Sequence, residues 1–210
     1  WKTINHGDAA GILKAGDTVI VEAGTYPQSS ANGVVLANCS GTSASLLITY
    51  RANGKVIIDQ SAYSGTSYGF FVSVGMRYVV IDGFEIKGCQ WGVYFDGSSW
   101  DTSCYCHHNT VKNCIIHDMH YGDASGGAWA SWCAGIYNSA SQYTTIQNNI
   151  IYNIGTASLD SWPSTELWAL CVMSPWGKGI KVYNNTFANA WAGIHAWESG
   201  NSIVRNNIFY

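Results

Sequence analysis

Charge is scarce in this chain. Only 11% of its 210 residues are charged and the formal net charge is −3, so no polyanion-binding patch is implied and nucleic acid is not an expected partner. No apolar run approaches the ~18 residues of a membrane span, so no membrane partner is expected either. No signal peptide is seen and the chain starts at Trp1 rather than Met, which reads as a processed or trimmed chain, so the missing signal does not argue against export. Standard zinc spacing is also missing. The run CYCHH at 104–108 crowds two cysteines and two histidines, but zinc sites usually place two residues between paired cysteines. The cysteine count is 7, and an odd count leaves at least one thiol unpaired. Cys89 and Cys133 precede the first strands of adjacent repeats, a spacing that would allow a bridge, whereas Cys114 is expected as a buried free thiol.

What is present is a repeat. The segments IDGFEIKG, VKNCIIHD, IQNNIIYN, VYNNTFANA and VRNNIFY begin at 81, 111, 146, 182 and 204, so successive copies lie 30, 35, 36 and 22 residues apart. A 22-residue unit is too short for a helix pair and leaves no room for a crossover helix. It fits a coil of short strands stacked about 4.8 Å above the last, with parallel pairing between coils. Paired asparagines mark the corner, because Asn tolerates the left-handed backbone that a tight corner needs. The first Asn of each pair (Asn113, Asn148, Asn184, Asn206) is expected to stack its amide from coil to coil inside that corner. The fold class is therefore all-β, a right-handed parallel β-helix of about seven coils. One domain is expected over 1–210, with an N-terminal cap over 1–16 and coils over 17–210. In the cap, Asp8 to Lys14 is expected to form a short helix with Asp8 as N-cap and Gly16 closing it. The last coil has no cap after Tyr210, and its bare edge is expected either to be continued by further chain or to be covered by self-association.

The strings AGDTVIVEAGTY (15–26) and ITYRANGKVIID (48–59), with the later NN repeats, resemble secreted polysaccharide lyases and related right-handed parallel β-helix proteins. Chondroitinase-B-like, alginate-lyase-like and pectate-lyase-like enzymes belong to that group. The resemblance covers nearly the whole chain and is specific for fold rather than activity. It implies a secreted or periplasmic protein acting on a polysaccharide, with the substrate lying along the first-strand face.

Against a bare coil of 22, three coils carry about 8, 13 and 14 extra residues, near 96–108, 119–132 and 155–167. The last two fall at one corner of neighbouring coils, and long loops on a rigid scaffold are where function is usually carried. On the first strands (91–96, 134–139, 169–174 and 192–198), Val93, Ile136, Val172 and Ile194 are expected inward. The outward row is then Tyr94, Tyr137, Met173 and His195, continued by Asp96 and Trp197. With Tyr121, Trp129, Trp132 and Trp162 from the corner loops, these form the expected substrate-binding set, since sugar faces stack on aromatic rings. Trp91, Trp168 and Trp191 recur where first strands begin and read as structural.

An eliminative lyase needs a cation against the uronate carboxylate and a base for the C5 proton. Calcium held by Asp118, Asp123, Asp160 or Glu166 would serve as that cation, since hard oxygen ligands suit it. His195, Tyr137, Asp123, Asp160 and Glu166 are the catalytic candidates. The Lys/Arg pair usual in the family has no counterpart on the first-strand face: Lys178 and Lys181 lie near a turn, and Lys112 and Arg205 point outward from second strands. Two other functions stay open. One is an inverting glycoside hydrolase with carboxylates about 6.5–9.5 Å apart. The other is a non-catalytic glycan-binding or structural β-helix.

Overall fold

The computed structural model describes residues 3–28, 30–63, 65–97, 105–120, 132–139, 141–155, 166–172, 178–196 and 200–210, with backbone alone at 166–169, 171 and 172. Its strands fall into three axis-parallel columns. The second-strand column holds β1 (Thr18–Pro27), β3 (Ile48–Asp59), β5 (Val79–Asp82), β8 (Thr110–Lys112), β11 (Thr145–Gln147), β14 (Lys181–Tyr183) and β17 (Ile203–Arg205). The third-strand column holds the far halves of β1 and β3, then β6 (Glu85–Lys87), β9 (Ile115–Met119), β12 (Ile150–Ile154), β15 (Thr186–Ala188) and β18 (Ile208–Phe209). The first-strand column is a separate sheet of β2 (Val34–Leu36), β4 (Tyr68–Val72), β7 (Trp91–Phe95), β10 (Trp132–Asn138), β13 (Glu166–Val172) and β16 (Ala192–Ala196). Every strand pair between coils is parallel. The longest column has seven levels, as the repeat predicts.

The repeat alignment is also the hydrogen-bonded register: Ile81 pairs with Val111, Val111 with Ile146, Ile146 with Val182, and Val182 with Val204. Each coil thus puts one apolar residue from each face into a common interior. Tyr50, Ile81, Val111, Ile146 and Val182 form one inner file, and Ile58, Ile86, Ile116, Ile151 and Phe187 a second. Phe70, Val93, Ile136 and Leu170 form the third, with Ile194 packed against it. Burying such a side chain stabilises by roughly 1.5–3 kcal/mol. In the last coil the corresponding Val204 and Phe209 are 48% and 56% exposed, so this coil lacks the cover that the inner ones have.

Three local expectations need correction. The helix α1 is His6–Ala9, with Asn5 at the N-cap position but its amide turned to the Val35 carbonyl, and it is closed by Gly11 at φ 65°, where the N–H groups of Gly11 and Ile12 turn back to Asp8 and Gly7. Asp8 is therefore not the N-cap, and Gly16 does not close the helix. The Asp8 carboxylate is buried and accepts the backbone N–H groups of Ala37, Asn38 and Cys39 at 2.8–3.2 Å, so it caps a turn about thirty residues away.

The asparagine pair divides its work between its two members. Asn113, Asn148, Asn184 and Asn206 supply the left-handed backbone, at φ 54–57°. Their own amides meet between coils only at the surface, where Asn148 donates to Oδ1 of Asn113 at 3.4 Å, and the buried amide ladder belongs to the following residue. The Asn149 amide donates to Oδ1 of Asn185, and that of Asn185 donates to Oδ1 of Asn207, at 2.9 and 3.0 Å. The N–H groups of Cys114, Asn149 and Asn185 run the same way, each to the next Asn side chain at 2.9 Å.

The expected Cys89–Cys133 bridge is not formed. Cys39, Cys89, Cys106, Cys114 and Cys133 are all free and buried, and the Cys89 thiol packs 3.6 Å from the Met119 sulfur. Both Cys89 and Cys133 face the interior file, where they pack as small apolar side chains. Burial pushes the Cys106 and Cys114 thiols up to about 12 and those of Cys39, Cys89 and Cys133 upward too. Since the thiolate is the reactive form, the native protein should give no more than two of its 7 thiols to Ellman's reagent. All should react in denaturant. A native titre above two would contradict the packing.

Candidate functional site

The first-strand sheet turns one side to the core and carries a second, smaller apolar cluster on the other. Trp91, Ala134 and Tyr137 are its buried members, with Tyr68, Tyr94, Trp132 and Ala192 packed around them. Register builds the cluster. Phe71 pairs with Tyr94, Tyr94 with Tyr137, Tyr137 with Cys171, and Cys171 with His195, so one outward column runs through five coils. The Tyr94 ring stacks on Tyr137 at 5.3 Å and 2°, and on Phe71 at 5.5 Å and 12°. Trp91 leans on Tyr137 at 4.6 Å, and the Tyr68 ring edge meets Tyr94 at 5.1 Å. Tyr68, Trp91, Tyr94 and Tyr137, with Thr66, Gln90 and Ser139, line a groove of about 340 Å³.

The Tyr68 and Tyr94 phenols of the groove are hydrogen-bonding groups that stay protonated. Burial pushes the Tyr94 phenol well above its usual range, and the Asp96 carboxylate and Tyr68 push in the same direction. Tyr68 is raised by burial and then by Asp96. The Gln90 amide is fixed by donating to the Trp132 carbonyl at 2.6 Å. The site is thus a floor of rings edged with hydroxyl and amide groups. His195 lies on the same outward column two coils beyond Tyr137, roughly 10 Å along the axis.

Of the expected site residues, Tyr94 and Tyr137 line the groove, Asp96 acts on it electrostatically, and Trp132 packs at its side. In the backbone register Cys171 takes the place between Tyr137 and His195 that was expected for Met173, which lies outside the described residues. A slip of two residues keeps the strand's alternation and so leaves no mark in the pattern. Asp118 lies on the third-strand column instead, at a left-handed corner with φ 53°. Its carboxylate pairs with His117 Nδ1 at 2.8 Å and accepts the Asn153 amide at 3.0 Å. Burial would raise its pKa, but those two partners hold it below the usual carboxylate range. Tyr121, Asp123, Trp129, Asp160, Trp162 and Trp197 lie outside the described residues, as does the side chain of Glu166.

Tyr68, Gln90 and Trp91 were not expected in the site. Trp91 is nearly buried within the outward cluster and lines the groove, while Trp191, which also reads as structural, is 67% exposed. The signal for Tyr68 was the aromatic-Gly pair that opens both YGFFV and WGVYF. The two corner loops are anchored as the repeat implies. They leave beyond Met119 and Ile154, which pair with each other, and return at Trp132 and Glu166, which also pair.

The chain belongs to the right-handed β-helix family, whose model matches residues 3–209. Three solved structures share the fold at low identity. Pectate lyase Pel9A is 20% identical, with a TM-score of 0.61, over 87% of this chain and 41% of its own. The alginate lyase from Paenibacillus sp. str. FPU-7 is 20% identical, with a TM-score of 0.59, over 99% and 74%. A rhamnogalacturonan lyase is 19% identical, with a TM-score of 0.56, over 91% and 50%. The chain thus spans less than half of the first of these and half of the third. No curated protein matches it by sequence. No helix among the described residues is long and apolar enough to cross a membrane.

Proposed function

We propose that this protein is a secreted or periplasmic polysaccharide lyase acting on a uronate-containing chain held in the Tyr68–Trp91–Tyr94–Tyr137 groove. The observation that carries the reading is that groove: a stacked aromatic floor with protonated phenols, beside paired corner loops, on a fold shared with three lyases. Rings of this kind suit sugar faces, and the phenol and amide groups suit hydroxyls.

In the reaction a base removes the proton at C5 of the uronate. The electron pair forms the C4–C5 double bond while the C4–O4 bond breaks, and O4 leaves with a proton. His195 and Tyr137 are the candidate bases on the described face. Asp123, Asp160 and Glu166 are candidates from the corner loops. Calcium would neutralise the uronate carboxylate. Among the described residues no group of three acidic, His or Cys side chains converges, and Asp118 is already held by His117 and Asn153. The described residues therefore do not form that site by themselves.

The test is incubation with alginate, pectate, chondroitin and dermatan, with and without calcium and chelator, following the ultraviolet absorbance of the unsaturated product. Absorbance should rise on at least one acidic polymer, and Tyr94→Ala should lower that rate by about tenfold or more through lost stacking. A flat trace on all four, with binding that Tyr94→Ala removes, would replace the lyase by a glycan-binding β-helix. That second reading is favoured by how strongly aromatic the described groove lining is.

A further inference from the structure

The cations of this chain are few, but they are not evenly used. Arg51, Lys55, Lys87 and Lys112 each make an ion pair, and Asp82 accepts two of them, from Arg51 at 3.2 Å and Lys112 at 3.4 Å. The Asn113 amide fills the other Asp82 oxygen at 2.7 Å. Arg77, Lys178, Lys181 and Arg205 make no ion pair among the described residues, and all four are exposed, as is Lys14 apart from them near the N-terminus.

These four are not scattered. At the corner that leads into the second strands, Arg77, His107, Gln142 and Lys178 are bridged backbone to backbone in successive coils. They form a line parallel to the solenoid axis, roughly 14 Å from Arg77 to Lys178 at one coil spacing per step. Lys181 opens β14 just beyond, and Arg205 ends β17 one coil further.

Behind the line stands a stiff stack. Tyr78, His108 and Tyr143 all adopt left-handed backbone, at φ 52–56°. Their rings lie on one another at 5.0 Å and 22°, then at 4.9 Å and 30°. Gly179 closes the far end, where an added Cβ would lie 2.5 Å from the Tyr143 ring. The His107 and His108 rings are tied by an Nδ1–Nδ1 hydrogen bond of 2.8 Å. Burial, then His108 and Arg77, hold the His107 imidazole below its usual range, and burial with Lys181 does the same for His108, so the charge of the strip at neutral pH is that of its Lys and Arg.

We propose that this corner is a second binding site, for an extended acidic polysaccharide, separate from the aromatic groove on the first-strand face. A linear chain of carboxylated sugars laid along the axis meets unpaired cations at both ends of the line and to one side, against a backing that costs little to order. Nucleic acid fits less well. Its bases need open ring faces, and here the faces are stacked on each other so that only edges remain. A low overall charge therefore conceals a local cationic strip. The composition alone implied that no such patch exists. The proposal stands whether or not the groove is catalytic.

The test is binding of polygalacturonate and alginate by affinity electrophoresis over a salt series. The proteins compared are the parent, the double variant Arg77→Glu/Lys178→Glu, the double variant Arg77→Lys/Lys178→Arg, and Tyr94→Ala. Reversal at two exposed cations should weaken binding by about tenfold and flatten its salt dependence. The charge-keeping double variant should bind like the parent, and Tyr94→Ala should retain the salt-sensitive component. Reversal that leaves affinity and salt dependence unchanged would overturn the proposal. Equal, reversal-sensitive binding of single-stranded DNA would overturn the assignment to polysaccharide. Neither outcome depends on unsaturated product, so failure of the lyase reading is seen separately.

Discussion

Replacing Asn185 with alanine is expected to lower the unfolding free energy by about 4 kcal/mol, a sum over buried groups left without partners. Its Oδ1 accepts both the backbone N–H and the side-chain amide of Asn149, each at 2.9 Å, and its Nδ2 donates to the Ile146 carbonyl at 3.0 Å. All of this lies in a corner where Asn149 and Asn185 are 1% exposed, so water does not replace the lost bonds. At roughly 2–4 °C per kcal/mol for a chain of this size, the midpoint of thermal unfolding should fall by about 10 °C. The same change at Asn207, on the half-covered last coil, should cost much less. Thermal unfolding followed by circular dichroism compares the two directly, and equal shifts would mean that the ladder is not what holds the corner.

Gly92→Ala is the second large effect, expected at about 3 kcal/mol because the crowding falls on atoms that cannot turn aside. A Cβ there would lie 2.3 Å from the Gly135 carbonyl oxygen of the next coil and 2.6 Å from Ile116 Cγ2. Trp91 and Tyr94 flank this position in the groove, so polysaccharide binding should fall together with stability. Gly193→Ala provides the control. Its nearest obstacle is the Phe209 ring on the exposed last coil, which can rotate away, so its cost should stay near 1 kcal/mol. If chemical denaturation finds the two variants equal, the close approach of the first strands has been overrated.

How far the sequence reveals the molecule depends on the range of the interaction concerned. Val111, Ile146, Val182 and Val204 aligned in the text of the chain are the residues that pair in space, because every coil repeats the same local demand. The corner asparagines were legible as left-handed residues for the same reason. Which of two adjacent asparagines turns its amide inward was not legible, since either choice satisfies the pattern. Asp8 looked like a helix cap because caps are local, but its partners are the N–H groups of 37–39. In the site, Tyr94 and Tyr137 followed from alternation, whereas Cys171 in place of Met173 hinged on a two-residue offset that alternation cannot detect. The line of Arg77, His107 and Lys178 was hidden for another reason: the loops between them differ in length, so no fixed spacing marks it.

The anchoring of the two corner loops has a consequence for descent. Both leave from one paired position and return to another, so their lengths do not enter the register of the coils that carry them. Residues can be gained, lost or exchanged there while the ladder and the inner files stay in step. Within such a lineage the parts that touch a polymer are free to diverge quickly, and the scaffold beneath them is inherited almost unchanged.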